Sequence, residues 1–235
     1  MRIRLDKFLA DSGVGSRSAV KQLIRGGHVS VNGELVTDEG MKTDTETDVI
    51  SVDGKELGYE KYRYFVLNKP AGCVSATKDR LSDTVLDMLK GEDTRDLFPV
   101  GRLDKDTEGF LLITNDGPLA HNLLSPAKHV PKKYFAVLDR DISEEDALRI
   151  EDCIDIGDDK RCLPAKVEIL KDKGAYITIS EGRFHQVKRM FAAAGYEVMY
   201  LKRVSMGKLY LDEDLLPGQY KKLSEDELVL LTERE

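Results

Sequence analysis

Hydrophobic positions in this chain repeat in two styles, and the change comes near residue 60. Before it, two short helical periods precede short strands. Leu5, Phe8 and Leu9 in "RLDKFLADSG" recur at i, i+3 and i+4, which predicts an amphipathic helix stopped by Gly13. Ser16 is a suitable N-cap for a second helix, "RSAVKQLIR", with Ala19, Val20, Leu23 and Ile24 on one face and Gly26 and Gly27 at its end. "HVSVNGELV" then alternates around Asn32-Gly33, a strong hairpin signal because both residues tolerate positive φ. "TDVISVDGKEL" adds short strands.

After residue 60 the apolar runs are longer and more continuous. "YRYFVLNKPAG" predicts a strand closed by Pro70 and Gly72, and residues 82–90 read as a helix. "FLLIT" reads as a strand and "GPLAHNLLS" as a helix. "KKYFAVLD" reads as a strand, and "SEEDALRIEDCI" as a helix capped by Ser143. "AKVEIL" and "AYITIS" read as strands, "FHQVKRMFAAAG" as a helix ending at Gly195, and "EVMYLKRV" and "KLYL" as strands. Helices interspersed without strict alternation predict an α+β fold with a mixed, mostly antiparallel sheet. The expected division is a small domain over 1–59 and a larger one over 60–235. The chain has no internal repeat and no low-complexity tract.

Composition supports that division. With 235 residues, 41% hydrophobic and 34% charged, there is apolar material for a real core. No apolar run approaches the roughly 20 residues needed to cross a bilayer, and "MRIRLDKFLADSG" lacks the apolar stretch of a signal peptide. Cys73, Cys153 and Cys162 have no metal-ligand spacing, and the four histidines are scattered. Reduced thiols in the cytosol and no metal site are the expectation.

Charge changes the picture more. A net charge of −7 argues against a nucleic-acid partner until its distribution is read. Residues 1–36 carry six lysines and arginines against three carboxylates, and residues 181–210 carry six against two. Residues 37–58 and the last 25 are strongly acidic. A polyanion could therefore meet the basic segments while the acidic ones face away. Arg17, Lys21 and Arg25 recur every four residues and share one helix face. That face is either a solvated stripe or a phosphate-binding surface.

Candidate chemistry concentrates in "PVGRLDKDTEGFLLITNDG", residues 99–117, a glycine-flanked loop ahead of an apolar strand. Taken alone, the loop allows three readings. Asp104, Asp106 and Glu108 could supply a carboxylate pair for hydrolysis. Asp104 and Asp106 could hold Mg²⁺. Arg102 and Asp104 could simply fix the loop by an ion pair.

The first segment resembles an S4 RNA-binding domain. The likeness rests on "RLDKFLADSGVGSRSAVKQLIRGGHVSVNG", which has Arg-Leu-Asp opening one helix, Ser-Arg opening the next, and then Gly-x-Val-x-Val-Asn-Gly. It implies that Arg4, Lys7, Arg17, Lys21 and Arg25 contact structured RNA. The second segment resembles the pseudouridine synthases that modify small-subunit ribosomal RNA or related large-subunit sites. "GRLDKDTEGFLLITNDG" matches their signature loop, and "NKPAG" and "EGRFHQVKRM" match further motifs in the right order. The resemblance spans nearly the whole chain.

Residue by residue, the resemblance implies that Asp104 is the catalytic aspartate and Arg102 the residue that helps eject the target nucleotide and takes its place. It implies that Tyr134 packs against the target base and that Lys188 pairs with the aspartate. The last position is often arginine in the family, and lysine keeps the charge without the bidentate geometry. Arg183 and Arg189 read as phosphate contacts, and His185 as a structural hydrogen-bonder. Isomerisation of uridine involves no net redox change and no transferred group, so no cofactor is implied. The expected partner is ribosomal RNA, most of all 16S, or a ribosomal subunit precursor, met by a monomer without a membrane. The resemblance leaves a 23S target open. Outside the synthases stand a non-catalytic ribosome-assembly protein of the same fold and a carboxylate-pair hydrolase acting on nucleosides.

Overall fold

A computed structural model describes residues 1–232. The chain forms two compact units, Met1–Tyr62 and everything from Arg63 onward. The division falls after Tyr62 rather than after Tyr59. Under either boundary Tyr59 packs within the first unit, its ring stacked on Phe8 at 5.1 Å and its hydroxyl donating to Asp11 at 3.1 Å.

The first unit runs β1 (Arg2–Arg4), α1 (Leu5–Asp11), α2 (Arg17–Arg25), β2 (Val29–Val31), β3 (Glu34–Leu35), β4 (Lys42–Asp44), β5 (Ile50–Val52) and β6 (Lys55–Leu57). Leu5, Phe8 and Leu9 bury one face of α1, and Val20 and Ile24 one face of α2, over Val29, Val31 and Ile50. Ser16 Oγ accepts from Ala19 N and caps α2. Ala19 itself is exposed, so the apolar face of α2 is narrower than its pattern predicts. Asn32 and Gly33 take φ of 53° and 84° and turn β2 into β3. β3, β2, β5 and β6 form an antiparallel sheet, and β1 pairs separately with β4.

The second unit runs β7 (Tyr64–Lys69), β8 (Phe98–Pro99), β9 (Glu108–Thr114), α3 (Gly117–Leu124), a 3₁₀ turn at Pro126–Lys128, β10 (Lys132–Leu138) and α4 (Glu144–Glu151). It continues with β11 (Lys166–Ile169), β12 (Gly174–Ile179), α5 (Gln186–Ala193), β13 (Val198–Met206), β14 (Leu209–Tyr210), β15 (Tyr220–Lys222) and α6 (Glu225–Thr232). One mixed sheet, in the order β11-β12-β10-β13-β9-β7-β15, carries the unit. Its pairs are antiparallel except β9 with β13, which run parallel. The central strands are buried on both faces, which is why they read as continuous apolar runs. Phe65, Leu67, Leu111 and Ile113 face one core. Val66, Phe110 and Leu112 face the other.

Three elements depart from the sequence pattern. Residues 82–90 form turns and no helix, although Val85, Leu86 and Leu89 are buried. The reason is local: the Asp87 carboxylate takes both the N–H and the hydroxyl of Thr84, and Val85 N donates to Val74 O. Helix α5 starts at Gln186 rather than Phe184, because His185 has φ of 49°. The acidic tail holds β15 and α6, which no apolar period announced.

Candidate active site

The second unit contains an open cleft of about 840 Å³. One wall is the loop 101–107 and another is the turn into α5; strands β10 and β13 supply the floor. The loop is fastened from beneath. Lys69, fully buried at the end of β7, donates from Nζ to the carbonyls of Thr107 at 2.9 Å, Pro70 at 3.0 Å and Lys105 at 3.3 Å. Burial lowers the pKa of its ammonium. Ser75 Oγ donates to Leu103 O at 2.9 Å and accepts from Leu103 N at 3.0 Å. Gly109, at φ 100°, lets β9 pass β13; a Cβ there would sit 2.2 Å from Arg203 O.

These ties present Asp104 to the cleft, with its side chain 25% exposed. Lys188 Nζ lies 3.4 Å from Asp104 Oδ2, and His185 Nε2 lies 3.4 Å from Oδ1. Lys188 also donates to both oxygens of Asp106, at 2.6 and 2.8 Å. That hydrogen-bonded ammonium holds the Asp106 carboxyl below its ordinary range. Lys188 thus sits between two carboxylates, in the position where the loop sequence allowed Mg²⁺.

The aim of Lys188 is set by a buried pair. Gln186 donates to Glu181 Oε1 at 2.8 Å, and its own Oε1 accepts from Arg183 N at 2.9 Å. This closes the turn in which His185 adopts its left-handed conformation. Lys188 follows three residues later, so both side chains reach the same carboxylate. The floor beside Asp104 carries Tyr134, 8% exposed, flanked by Lys132 and Arg203. Arg102 is exposed on the cleft wall and, among the described residues, forms no ion pair. The simple Arg102–Asp104 bridge is therefore not what fixes the loop; Lys69 and Ser75 do that.

The profile described as RNA pseudouridylate synthase matches residues 63–193, and the S4 domain profile matches residues 3–50. The chain belongs to the RNA pseudouridylate synthase family. An uncharacterized RNA pseudouridine synthase of Bacillus subtilis is 49% identical to it over 98% of this chain and 99% of that protein. The ribosomal small subunit pseudouridine synthase A of Escherichia coli K12 is 40% identical over 96% and 98%. A crystal structure described as a pseudouridylate synthase superposes with a TM-score of 0.70 at 38% identity, covering 97% of this chain and 99% of that one.

In this pseudouridine synthase the four residues expected at the site, Arg102, Asp104, Tyr134 and Lys188, all line one cleft. Arg183, which lines the cleft, and Arg189 both have partners within the unit. Arg183 donates to Glu181 at 3.0 Å and to Arg161 O at 2.7 Å. Arg189 donates to Asp158 Oδ1 and to Ile156 O, both at 2.6 Å. Their donors fasten the segment 156–161.

Sequence reasoning missed three contributors, Lys69, Lys132 and Arg203, and for Asp106 it missed the partner, Lys188. Of these, Lys132 and Arg203 carried a usable signal, being cations at positions whose alternation points into the sheet's buried face. Asp106 carried none, since its partner lies 82 residues away.

In the S4 domain, Arg4, Lys7, Arg17 and Lys21 line a shallow depression of about 420 Å³ that also holds Asp6. Arg4 pairs with Asp6 at 2.9 Å, Lys7 with Asp11 at 3.0 Å, and Lys21 with Glu39 at 3.1 Å. Arg25 lies outside the depression and donates to Glu39 from Nε at 2.6 Å. Among the described residues Arg17 has no ion-pair partner.

Proposed function

We propose that this enzyme converts one uridine of 16S ribosomal RNA to pseudouridine, with Asp104 as the reacting carboxylate. The observation that carries this reading is the arrangement around Asp104: a carboxylate in an open cleft, Lys188 and His185 each 3.4 Å from it, and Tyr134 on the same floor. The 40% identity to a ribosomal small subunit pseudouridine synthase supports the choice of 16S RNA.

The target uridine leaves its stack and enters the cleft, and the cost of unstacking is met by contacts inside. Tyr134 packs against the base. Arg102, exposed on the wall and without an ion-pair partner among the described residues, fills the gap left in the RNA. The C1′–N1 bond then breaks. Asp104 either adds to C1′ and is released again as C5 bonds to that carbon, or takes a proton from C2′ to give a glycal and returns it when the C1′–C5 bond forms. The detached base turns, a C1′–C5 bond forms, C5 loses its proton to solvent and N1 gains one. Lys188 holds the carboxylate in place while Asp106 holds Lys188. The basic depression of the S4 domain supplies phosphate contacts elsewhere on the RNA.

Pseudouridines mapped across 16S and 23S RNA from a strain lacking the gene test the target. The loss of a single 16S pseudouridine is expected. Loss confined to 23S RNA, or no loss, would overturn the 16S assignment.

A further inference from the structure

Among the described residues, two cations in the floor of the cleft have no counter-charge. Lys132 and Tyr134 lie two residues apart on the same face of β10, and Arg203 lies directly across from Tyr134 on β13. Lys132 is 5% exposed and Arg203 2%. The Lys132 ammonium donates to Val130 O at 2.9 Å. The Arg203 guanidinium donates from Nε to Phe110 O at 2.7 Å, lies 6.0 Å from the Tyr134 ring centroid, and leaves Nη2 enclosed with no acceptor. Among the described residues neither cation forms an ion pair.

An enclosed donor without an acceptor is rare in folded proteins, and an unpaired buried cation is costly. The acidic side chains on the cleft wall cannot relieve it. Asp104 faces Lys188 and His185, and Asp79 accepts from the N–H groups of Leu81 and Ser82. Burial and the neighbouring Arg203 lower the Lys132 pKa to about 8, which leaves the ammonium charged at neutral pH. An anion entering the cleft would supply the counter-charge that the described residues do not.

We propose that Lys132 and Arg203 form a phosphate subsite that takes a phosphodiester next to the flipped uridine. The inference rests on the reading of the cleft as the uridine site. A nucleoside seated between Asp104 and Tyr134 carries a phosphodiester on each side of its ribose. An anion on the two cations ties that backbone to the floor while the base is free to turn. Their charge is stored in the free enzyme and neutralised when RNA arrives.

Two measurements with the full chain test this. The first needs no RNA target: titrate the enzyme with uridine, uridine 5′-monophosphate and uridine 3′-monophosphate, following backbone amide shifts. One monophosphate should bind about ten- to a hundredfold more tightly than uridine, the range of a charge-assisted contact. Lys132→Met should erase that preference while melting no lower than wild type, because an apolar side chain replaces an unpaired buried ion. Equal affinity of wild type for all three ligands would overturn the proposal even if the enzyme is an active 16S synthase.

The second uses target RNA with one neutral methylphosphonate linkage on the 5′ or the 3′ side of the uridine. One of the two should slow wild type by a similar factor, and Lys132→Met should lose nothing further from it. Losses that simply multiply would place the phosphate elsewhere and overturn the proposal. Should Lys132→Met fail to fold, Arg203→Lys carries both measurements: it keeps the charge, gives up Nη2, and should lose part of the preference. If no ribosomal RNA releases its C5 hydrogen, the proposed function fails, and the monophosphate titration still decides the subsite.

Discussion

The two basic regions of this enzyme treat their cations in opposite ways. In the S4 domain, Arg4, Lys7, Lys21 and Arg25 are exposed or partly so, and each rests against a carboxylate of its own unit. In the cleft, Lys132 and Arg203 are almost wholly buried and unpaired among the described residues. Exposed ion pairs are worth about 0–1 kcal/mol, so exchanging Asp6 or Glu39 for a phosphate costs little and gains little per contact. A face of that kind adds affinity in small, salt-sensitive steps. A buried cation gains more than an exposed one from a well-placed anion, because solvent screens the contact less. On the proposed reading, the difference separates holding RNA from positioning one nucleotide.

Substitutions can break or sharpen that contrast. The largest effect is expected in the cleft. Lys188→Met should slow single-turnover tritium release from C5-labelled RNA by about 10²- to 10³-fold, the scale of losing one preorganised charge contact at a reacting centre. RNA affinity should barely change, and a large loss of affinity would put Lys188 among the holding residues. Gly109→Ala comes next. Its Cβ would meet Arg203 O at 2.2 Å, at a φ of 100°. A destabilisation on the order of 3 kcal/mol is expected from strain and displaced backbone, read from the midpoint of urea unfolding.

Replacing Arg17, Lys21 and Arg25 together by Gln should weaken RNA binding about ten- to a hundredfold at physiological salt and lower the log–log salt slope by about two to three. The rate of RNA already bound should stay the same; a fall in that rate would erase the distinction between the regions. The smallest effect is a pH slope. Lys132 has a folded value of about 8, below its ordinary 10.5, so the unfolded chain binds the extra proton between those values. Wild-type stability should therefore rise with pH across that window, by an increment that Lys132→Met lacks. Denaturant midpoints for the two proteins, taken as a difference at each pH, isolate this group from others that titrate there.

Much of this was readable from the chain. Helices α1 and α2 follow from Leu5, Phe8, Leu9 and the Ser16 cap, and the hairpin from Asn32-Gly33. These are local signals, and local geometry obeyed them. Residues 82–90 misled because their buried positions mimic a helical period, whereas the Asp87 carboxylate had already claimed the amide of Thr84. Asp104, Arg102, Tyr134 and Lys188 were found through motif resemblance, and the fold brings them to one cleft. The strand pairing that sets Arg203 beside Tyr134 is long-range, as is the Lys188–Asp106 bond, and no periodicity encodes either. The charges of Arg183 and Arg189 are visible in the sequence, whereas their partners Glu181, Asp158 and the carbonyls of 156–161 are not.

The proposed reaction turns on the Asp104 carboxylate beside Lys188. Its most direct test is tritium release from C5-labelled, unmodified 16S transcript by wild type and Asp104→Asn, with RNA affinity and melting temperature measured on the same samples. Wild type should release tritium, and Asp104→Asn should bind RNA, stay folded and release none. Full release by the folded variant would contradict the role assigned to Asp104.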